Sequence, residues 1–125
     1  MAAHAREAAP REAVGVVLGT AGGATDYAPL LNVSPTPCDA FVVDPFEFVK
    51  IEGTARDHGL RVLGMFHSHP GGEPTPSAVD RLQEWPGVCC WIGTVRTDGR
   101  FDLGTFPLAG SRLGLADPGD QNRIV

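Results

Sequence analysis

Cysteine is scarce in this chain of 125 residues, and its three copies follow no repeated spacing. An odd count without a pattern argues against the disulfide framework of small secreted domains. Cys89 and Cys90 are adjacent within the apolar run GVCCWIGTV, so we interpret them as reduced packing residues of a strand. A redox thiol is the alternative interpretation, but no activating base stands close to them in the sequence.

The chain also lacks basic runs and long apolar segments. Its formal net charge is −5, and no cluster of Lys or Arg offers a surface for nucleic acid or an anionic membrane. No segment approaches the length of a transmembrane helix, and the start MAAHAREAAPREA has no apolar core of a signal peptide. We therefore expect a cytoplasmic protein with neither nucleic acid nor membrane among its partners.

Turn-forming residues, in contrast, are abundant, with 16 Gly and 11 Pro. They divide the chain into short apolar segments, and the length suits a single domain with a real core. The predicted helices cover residues 2–9, a segment that begins after Asp44, and a segment that begins at Ser77. The predicted strands cover residues 12–20, 26–33, 40–43, 60–66, 88–95 and 101–108. This order predicts an α/β fold, with a mixed, mostly antiparallel sheet of about six strands flanked by two or three helices.

The helix after Asp44 has the clearest boundaries. Asp44 suits the N-cap, Pro45 the first helical position and Gly59 the position just past the end. We expect Phe46 and Val49 to pack on the sheet, with Phe48 as a further candidate.

The most specific stretch is MFHSHP, residues 65–70, which follows the apolar segment LRVLG. On a strand, His67 and His69 point to the same face, and Pro70 ends the strand. Ser77 and Asp80 then stand in the first turn of a predicted helix. Two imidazoles and one carboxylate are typical of a catalytic zinc site with a fourth position open to water.

Each part of this pattern has a purely structural alternative. A His-x-His at a strand end occurs on solvated sheet edges, and Glu12 could be an exposed charge where a strand begins. Ser77 with Asp80 three residues later is close to a capping box, which satisfies the free amides of a helix start. The two interpretations compete for the Asp80 carboxylate, and only the joint pattern decides between them.

That joint pattern resembles the JAMM/MPN+ (JAB domain) metalloprotease family, whose motif is an upstream Glu, then His-x-His-Pro, then Ser-x-x-Asp. Ten residues separate His69 from Asp80, which is the family spacing. The upstream Glu corresponds to Glu12 in Pro10-Arg11-Glu12, just before the strand AVGVVLG. The resemblance covers residues 10–107 and favours the small stand-alone prokaryotic type.

The resemblance implies one zinc ion per chain, bound by His67, His69, Asp80 and a water molecule, in a fold similar to that of cytidine deaminases. Glu12 would be the general base that activates this water, and Ser77 would donate to the oxyanion of the intermediate. Ser68, between the two histidines, would face away from the metal and contact either a residue that supports the ligands or the backbone.

The resemblance also implies the reaction and the partner. Family members hydrolyse isopeptide or peptide bonds after the C-terminal Gly-Gly of ubiquitin-like proteins. For a small domain we expect a ubiquitin-like or sulfur-carrier protein joined to a lysine or a cysteine. A phage-tail or cell-wall peptidase and a catalytically inactive MPN-type binding scaffold are the alternatives, although all five motif positions are filled.

The predicted catalytic domain spans residues 1–108, and residues 109–125 are predicted to be a polar tail or an edge segment. The sequence does not predict the oligomeric state, and a homodimer is one candidate.

Overall fold

A computed structural model describes residues 1–82 and 89–107 of the chain. The described strands form one sheet in the order β2-β1-β3-β4-β5, in which β3 and β4 are parallel and the other neighbours are antiparallel. The predicted α/β fold with a mixed, mostly antiparallel sheet is thus confirmed. In chain order the elements are α1 Ala2–Ala8, β1 Val14–Thr20, β2 Gly23–Leu30, α2 Pro45–Asp57, β3 Arg61–Ser68, α3 Ala78–Leu82, β4 Cys89–Val95 and β5 Phe101–Pro107.

The sheet has an apolar cluster on each face. Along β1, Val17 packs with Ala5 of α1, whereas Val14 and Val16 pack with Ala55 of α2. This division follows from the period of two in a strand, which sends successive side chains to opposite faces. The β-branched residues of β1 are therefore buried on both sides, as expected for a central strand.

The register of β1 and β3 sets the position of the motif residues. Val14 is paired with His67 in the antiparallel ladder, so the segment before β1 lies beside the segment after β3. Because β4 is parallel to β3, its carboxyl end reaches the same edge of the sheet. The beginning of β1 and the ends of β3 and β4 thus meet at one end of the molecule.

The predicted strand over residues 40–43 is wrong, and the described residues contain five strands rather than about six. Asn32 explains the difference, because its side chain takes the place of a neighbouring strand. Its Nδ2 donates to the Ala40 carbonyl at 3.0 Å, and its Oδ1 accepts from the Val42 amide at 3.1 Å. The Val33 amide adds one backbone hydrogen bond, to the Val42 carbonyl at 2.8 Å, so the segment is held mainly by a side-chain amide and one isolated backbone bond instead of a ladder.

Helix α2 has the predicted boundaries. The Asp44 side chain accepts a hydrogen bond from the Phe46 amide at 2.9 Å, and Gly59 has a φ of +73° just past the helix end. The predicted packing of Phe46 and Val49 is wrong, since they are 84% and 63% exposed. Phe48 packs against the sheet together with Ile51. The helical period places this second pair on the inner face and the first pair on the outer face.

Several expectations fall on residues outside the described ranges. These are the end of the third helix near Trp85 and Pro86, the first residue of the strand predicted over 88–95, and the boundary at residue 108 with the segment that follows it. Among the described helices, none is long and apolar enough to cross a membrane.

Candidate metal and catalytic site

His67 lies near the end of β3, and His69 follows directly after the last residue of that strand, where hydrogen bonds to β4 hold its backbone. His67 is in β3 and is 1% exposed. The His69 amide donates to the Gly93 carbonyl at 2.8 Å, and the Thr94 hydroxyl donates to the His69 carbonyl at 2.9 Å. Because β4 holds both the amide and the carbonyl of His69, the ring can move only by rotation about its own side-chain bonds.

The structure brings His67, His69 and Asp80 together with their ligand atoms facing one another. The two Nε2 atoms are 3.0 Å apart, His69 Nε2 is 3.1 Å from Asp80 Oδ2, and His67 Nε2 is 3.2 Å from Asp80 Oδ1. Ligand atoms at about 2.0–2.1 Å from a tetrahedral zinc would be about 3.3 Å from one another. The observed separations fit these edges closely, so two imidazoles and a carboxylate converge as zinc ligands would.

Contacts on the far side of each imidazole fix the ring orientation. His69 Nδ1 lies 2.9 Å from the Glu73 carbonyl oxygen, which can only accept, so Nδ1 carries the proton and Nε2 is free to bind a metal. His67 Nδ1 lies 3.9 Å from the Cys90 Sγ atom, and the His67 ring packs on Phe41. Burial raises the pKa of the Cys90 thiol to about 12, so this side chain stays a neutral thiol.

Glu73 and Cys90 are partners of the two histidines that were not predicted from the sequence. The Glu73 contact uses a backbone carbonyl, which every residue has, so no sequence signal marks it. Cys90 is brought beside His67 by the parallel register of β3 and β4, in which it is paired with Met65, and the sequence does not show this register.

Asp80 and Ser77 form a reciprocal pair at the beginning of α3. The Ser77 amide donates to Asp80 Oδ2 at 2.8 Å, and the Asp80 amide donates to Ser77 Oγ at 3.1 Å. The capping box is therefore present, and the Asp80 carboxylate still faces both imidazoles. The expected competition for Asp80 is absent, because a carboxylate has two oxygens and about four acceptor positions.

Electrostatics keep the Asp80 carboxylate ionised. Burial raises its pKa, but hydrogen bonds from His67 and His69 outweigh burial and hold the pKa far below the usual range. The hydrogen bond to Asp80 in turn raises the pKa of His69 against the effect of burial. A metal ion must displace any proton held there, so metal affinity is expected to fall at acid pH.

Glu12 reaches the same site from the segment before β1. Glu12 is only 8% exposed, so the alternative interpretation of this residue as an exposed charge at a strand start is wrong. Burial raises the pKa of Glu12 to about 7, the His69 charge lowers it, and the charges of Asp80 and Asp39 raise it further. A carboxyl group with this pKa can both accept and release a proton near neutral pH.

A cavity of about 480 Å³ adjoins Glu12. Its wall is formed by α1, the segment that follows α1 and the end of β2, together with Cys38. The polar residues on its wall are His4, Glu7, Arg11, Asn32 and Cys38.

Comparison with known proteins identifies the family of this chain. The family model described as prokaryotic homologs of the JAB domain matches residues 1–104. The chain belongs to this family. A solved JAB1/MPN domain protein from Archaeoglobus fulgidus has the same fold, with a TM-score of 0.55 at 19% identity over 92% of this chain and 85% of that one.

Other relatives of this JAB-family chain are closer in sequence. The desampylase of Haloferax volcanii is 40% identical over 78% of this chain and 74% of its own length. A probable TtuB-protein conjugate cleaving protease of Thermus thermophilus is 37% identical over 62% of this chain and 52% of its own length. A solved protein from Desulfitobacterium hafniense is 32% identical, with a TM-score of 0.77 over 89% of this chain and 80% of that one. The predicted JAMM/MPN+ family and the predicted class of enzyme, a JAMM-type isopeptidase, are thus confirmed.

Proposed function

We propose that this JAB-family chain is a zinc-dependent hydrolase for conjugates of a small ubiquitin-like or sulfur-carrier protein. It would cleave the isopeptide or peptide bond after the C-terminal Gly-Gly of that protein. The observation that carries the proposal is the convergence of His67, His69 and Asp80 beside a buried Glu12. The names of the relatives from Haloferax volcanii and Thermus thermophilus support it, since both denote removal of a protein from a conjugate.

His67, His69 and Asp80 are the residues that would hold one zinc ion. The ion supplies a Lewis acid, which polarises the scissile carbonyl and makes water acidic near neutral pH. The protein's part is to keep three ligand atoms about 3 Å apart without large movement, which the contacts of β3, β4 and the capping box achieve. The negative charge of Asp80 adds attraction for the cation.

Glu12 would carry the proton in the reaction. An amide nitrogen leaves as an amine only if it receives a proton, because an amine anion is a very poor leaving group. Glu12 takes a proton from the attacking water and delivers it to the departing nitrogen of the lysine or backbone amine. Its pKa of about 7 suits both halves of this transfer.

Ser77 would stabilise the oxyanion. Its oxygen accepts a hydrogen bond from the Asp80 amide, which uses a lone pair and leaves the hydroxyl proton available. Capping the helix and donating to an oxyanion are therefore compatible roles for one hydroxyl group.

The shape of the substrate also fits this end of the sheet. A Gly-Gly tail has no side chains, so it can enter a narrow passage and pair with an outer strand. Among the described strands, β2 and β5 are the outer ones, and β2 ends next to the cavity beside Glu12. A cytoplasmic location, consistent with the composition, is part of this proposal.

The test is cleavage of a defined conjugate in which a ubiquitin-like protein ending in Gly-Gly is joined to a lysine. The purified chain is expected to bind about one zinc and to release both proteins, whereas His69→Ala loses both properties. His58→Ala is the matched control, because His58 is an exposed histidine at the end of α2. Cleavage that persists in zinc-free His69→Ala, or a zinc-loaded wild type that leaves such conjugates intact, would contradict the proposal.

A further inference from the structure

The side chains of Arg96, Asp102 and Glu73 form a charged group that has no role in the chemistry described so far. Arg96 Nε donates to Asp102 Oδ2 at 2.6 Å, and its two terminal nitrogens each lie 3.2 Å from a carboxylate oxygen of Glu73. The guanidinium group therefore joins the hairpin of β4 and β5 to the loop between His69 and Ser77. Hydrogen bonding to Arg96 lowers the pKa of Glu73, so the loop carboxylate stays charged.

The residue that Arg96 holds is the one that orients His69. The backbone carbonyl of Glu73 accepts the hydrogen bond from His69 Nδ1 at 2.9 Å, while its side chain is held by both terminal nitrogens of Arg96. Arg96 is itself fixed at the end of β4, where its amide donates to the Arg100 carbonyl at 2.7 Å. A continuous chain of contacts thus runs from β4 to the candidate metal ligand.

The loop requires such an anchor because of its sequence. Pro70 is followed by Gly71 and Gly72, and Gly71 has a φ of +71°. Two consecutive glycines leave the loop free to adopt many backbone conformations, which is an entropic cost to the single arrangement that presents the Glu73 carbonyl to His69.

We propose that Arg96 is a positioning residue of the metal centre, which fixes the His69 tautomer and ring by holding Glu73 in place. This inference rests on the proposed function, since it assumes that His69 binds a metal. Strand β4 and the residue that follows it then support His69 in two ways. Gly93 and Thr94 hold its backbone, and Arg96 acts through Glu73 on its ring.

The expected loss of metal affinity in an Arg96 variant follows from the place of Arg96 in this chain of contacts. Loss of a partner of a metal-bound histidine costs about 10–100-fold in metal affinity. Arg96 acts one step further away, so about 10-fold is expected. Because Glu73 is 71% exposed, salt should screen its pairing with Arg96. The advantage of the wild type over an Arg96 variant should therefore shrink as ionic strength rises.

The experiment measures the affinity for zinc by competition with a chelator, and the visible spectrum of the cobalt(II) form, for the full chain. The variants are Arg96→Gln, Arg96→Lys, Glu73→Gln and the double variant of Arg96→Gln with Glu73→Gln. Arg100→Gln is the matched control, because Arg100 is on the same hairpin, is 70% exposed and comes no closer than 3.9 Å to a carboxylate. Thermal melts on the same samples report whether each variant is folded.

We expect Arg96→Gln and Glu73→Gln to lose about 10-fold in affinity at about 0.05 M salt and much less at about 0.5 M, and the double variant to be no weaker than either. Arg96→Lys should recover part of the loss, since it keeps the charge without the planar fork. Cobalt spectra should change in the two single Gln variants and not in Arg100→Gln.

Equal affinity in the wild type and both single Gln variants at low salt would overturn the inference while leaving the proposed function intact. Additive losses in the double variant would overturn it as well, because the two residues would then act independently. A wild type that binds neither zinc nor cobalt would overturn both.

Discussion

The backbone amide of Ala13 donates a hydrogen bond to the Ser68 hydroxyl at 2.8 Å, and the Ser68 amide donates to the Ala13 carbonyl at 2.9 Å. This pair joins the residue after Glu12 to the residue between His67 and His69. It explains how an acid so far upstream of the histidines is brought to the metal site. Of the two contacts expected for Ser68, the structure shows the one with the backbone.

Ser68→Ala tests this link. The change leaves the buried Ala13 amide without a partner, so we expect a loss of about 1–3 kcal/mol in the free energy of unfolding. It should also lower the turnover of a Gly-Gly conjugate, because Glu12 is less firmly placed, while zinc binding is retained. Urea unfolding, turnover and zinc content on one preparation give the three values.

Ser34→Ala is the control, since Ser34 Oγ accepts from the Thr36 amide at 3.1 Å at an exposed position. This variant should be close to the wild type in stability and turnover. A Ser68→Ala variant that resembles this control in both would show that the contact with Ala13 does not hold Glu12.

The convergence of His67, His69 and Asp80 could be predicted because its signals are local. Two histidines two residues apart on a predicted strand, and an acid in the first turn of a predicted helix, have directions set by standard backbone geometry. Glu12 could be recognised only through the resemblance to a family, since its approach to His69 depends on the pairing of β1 with β3. Nothing near Glu12 in the sequence encodes that pairing.

The errors in the fold have the same origin. The segment 40–43 has the composition of a strand, but its hydrogen bonds come from the Asn32 side chain and one amide, that of Val33, rather than from a ladder. Phe46 and Val49 are apolar, but α2 is rotated about its axis so that Phe48 and Ile51 face the sheet instead. Apolar character predicts that some face is buried, and only tertiary packing decides which one.

Ser77→Ala should show both of the roles assigned to this hydroxyl group. Loss of the hydrogen bond from the Asp80 amide is expected to cost about 1 kcal/mol in stability. Loss of the oxyanion donor is expected to lower turnover by about 10²–10³-fold. Thermal melts and kinetics of a zinc-loaded sample separate the two. A variant that is destabilised and still turns over normally would leave Ser77 as a helix cap alone.

Removal of the metal should lower thermal stability without unfolding the chain. A ligand that binds the folded state stabilises it by an amount that grows with its concentration relative to the dissociation constant. The sheet core has an apolar cluster on each face that does not involve the three ligands, so the metal-free protein should stay folded. A chelated sample is expected to melt cooperatively at a lower temperature and to regain its melting temperature when zinc is added. Loss of β-sheet circular dichroism on chelation would contradict this expectation.

Glu12 should make the metal-free protein less stable as the pH rises. Burial raises its pKa from the ordinary 4.5 to about 7, so the folded state favours the neutral acid. The stability that this provides is complete below about pH 4.5 and is lost as the pH rises through about 7. Glu12→Gln is always neutral, so it should match the wild type near pH 4.5 and exceed it by about 1–3 kcal/mol near pH 8. Urea unfolding at both pH values gives the difference in free energy of unfolding between the variant and the wild type. A difference that does not grow with pH would show that burial does not raise the pKa of Glu12.

The same titration should govern catalysis in the zinc-loaded protein. Glu12 must be ionised to take a proton from water, so kcat/KM should fall as the pH drops through the pKa of this group. That pKa is about 7 without metal, and a bound cation lowers it, so the midpoint should lie at or below pH 7. Glu12→Gln should keep its zinc and lose about 10²–10⁴-fold in turnover.

Asp39→Asn is the informative control, because the exposed Asp39 raises the pKa of Glu12 through its charge alone. It should move the acid limb to lower pH and leave the rate at high pH unchanged. Near-wild-type turnover in Glu12→Gln, with zinc bound and the conjugate still recognised, would remove Glu12 from the reaction.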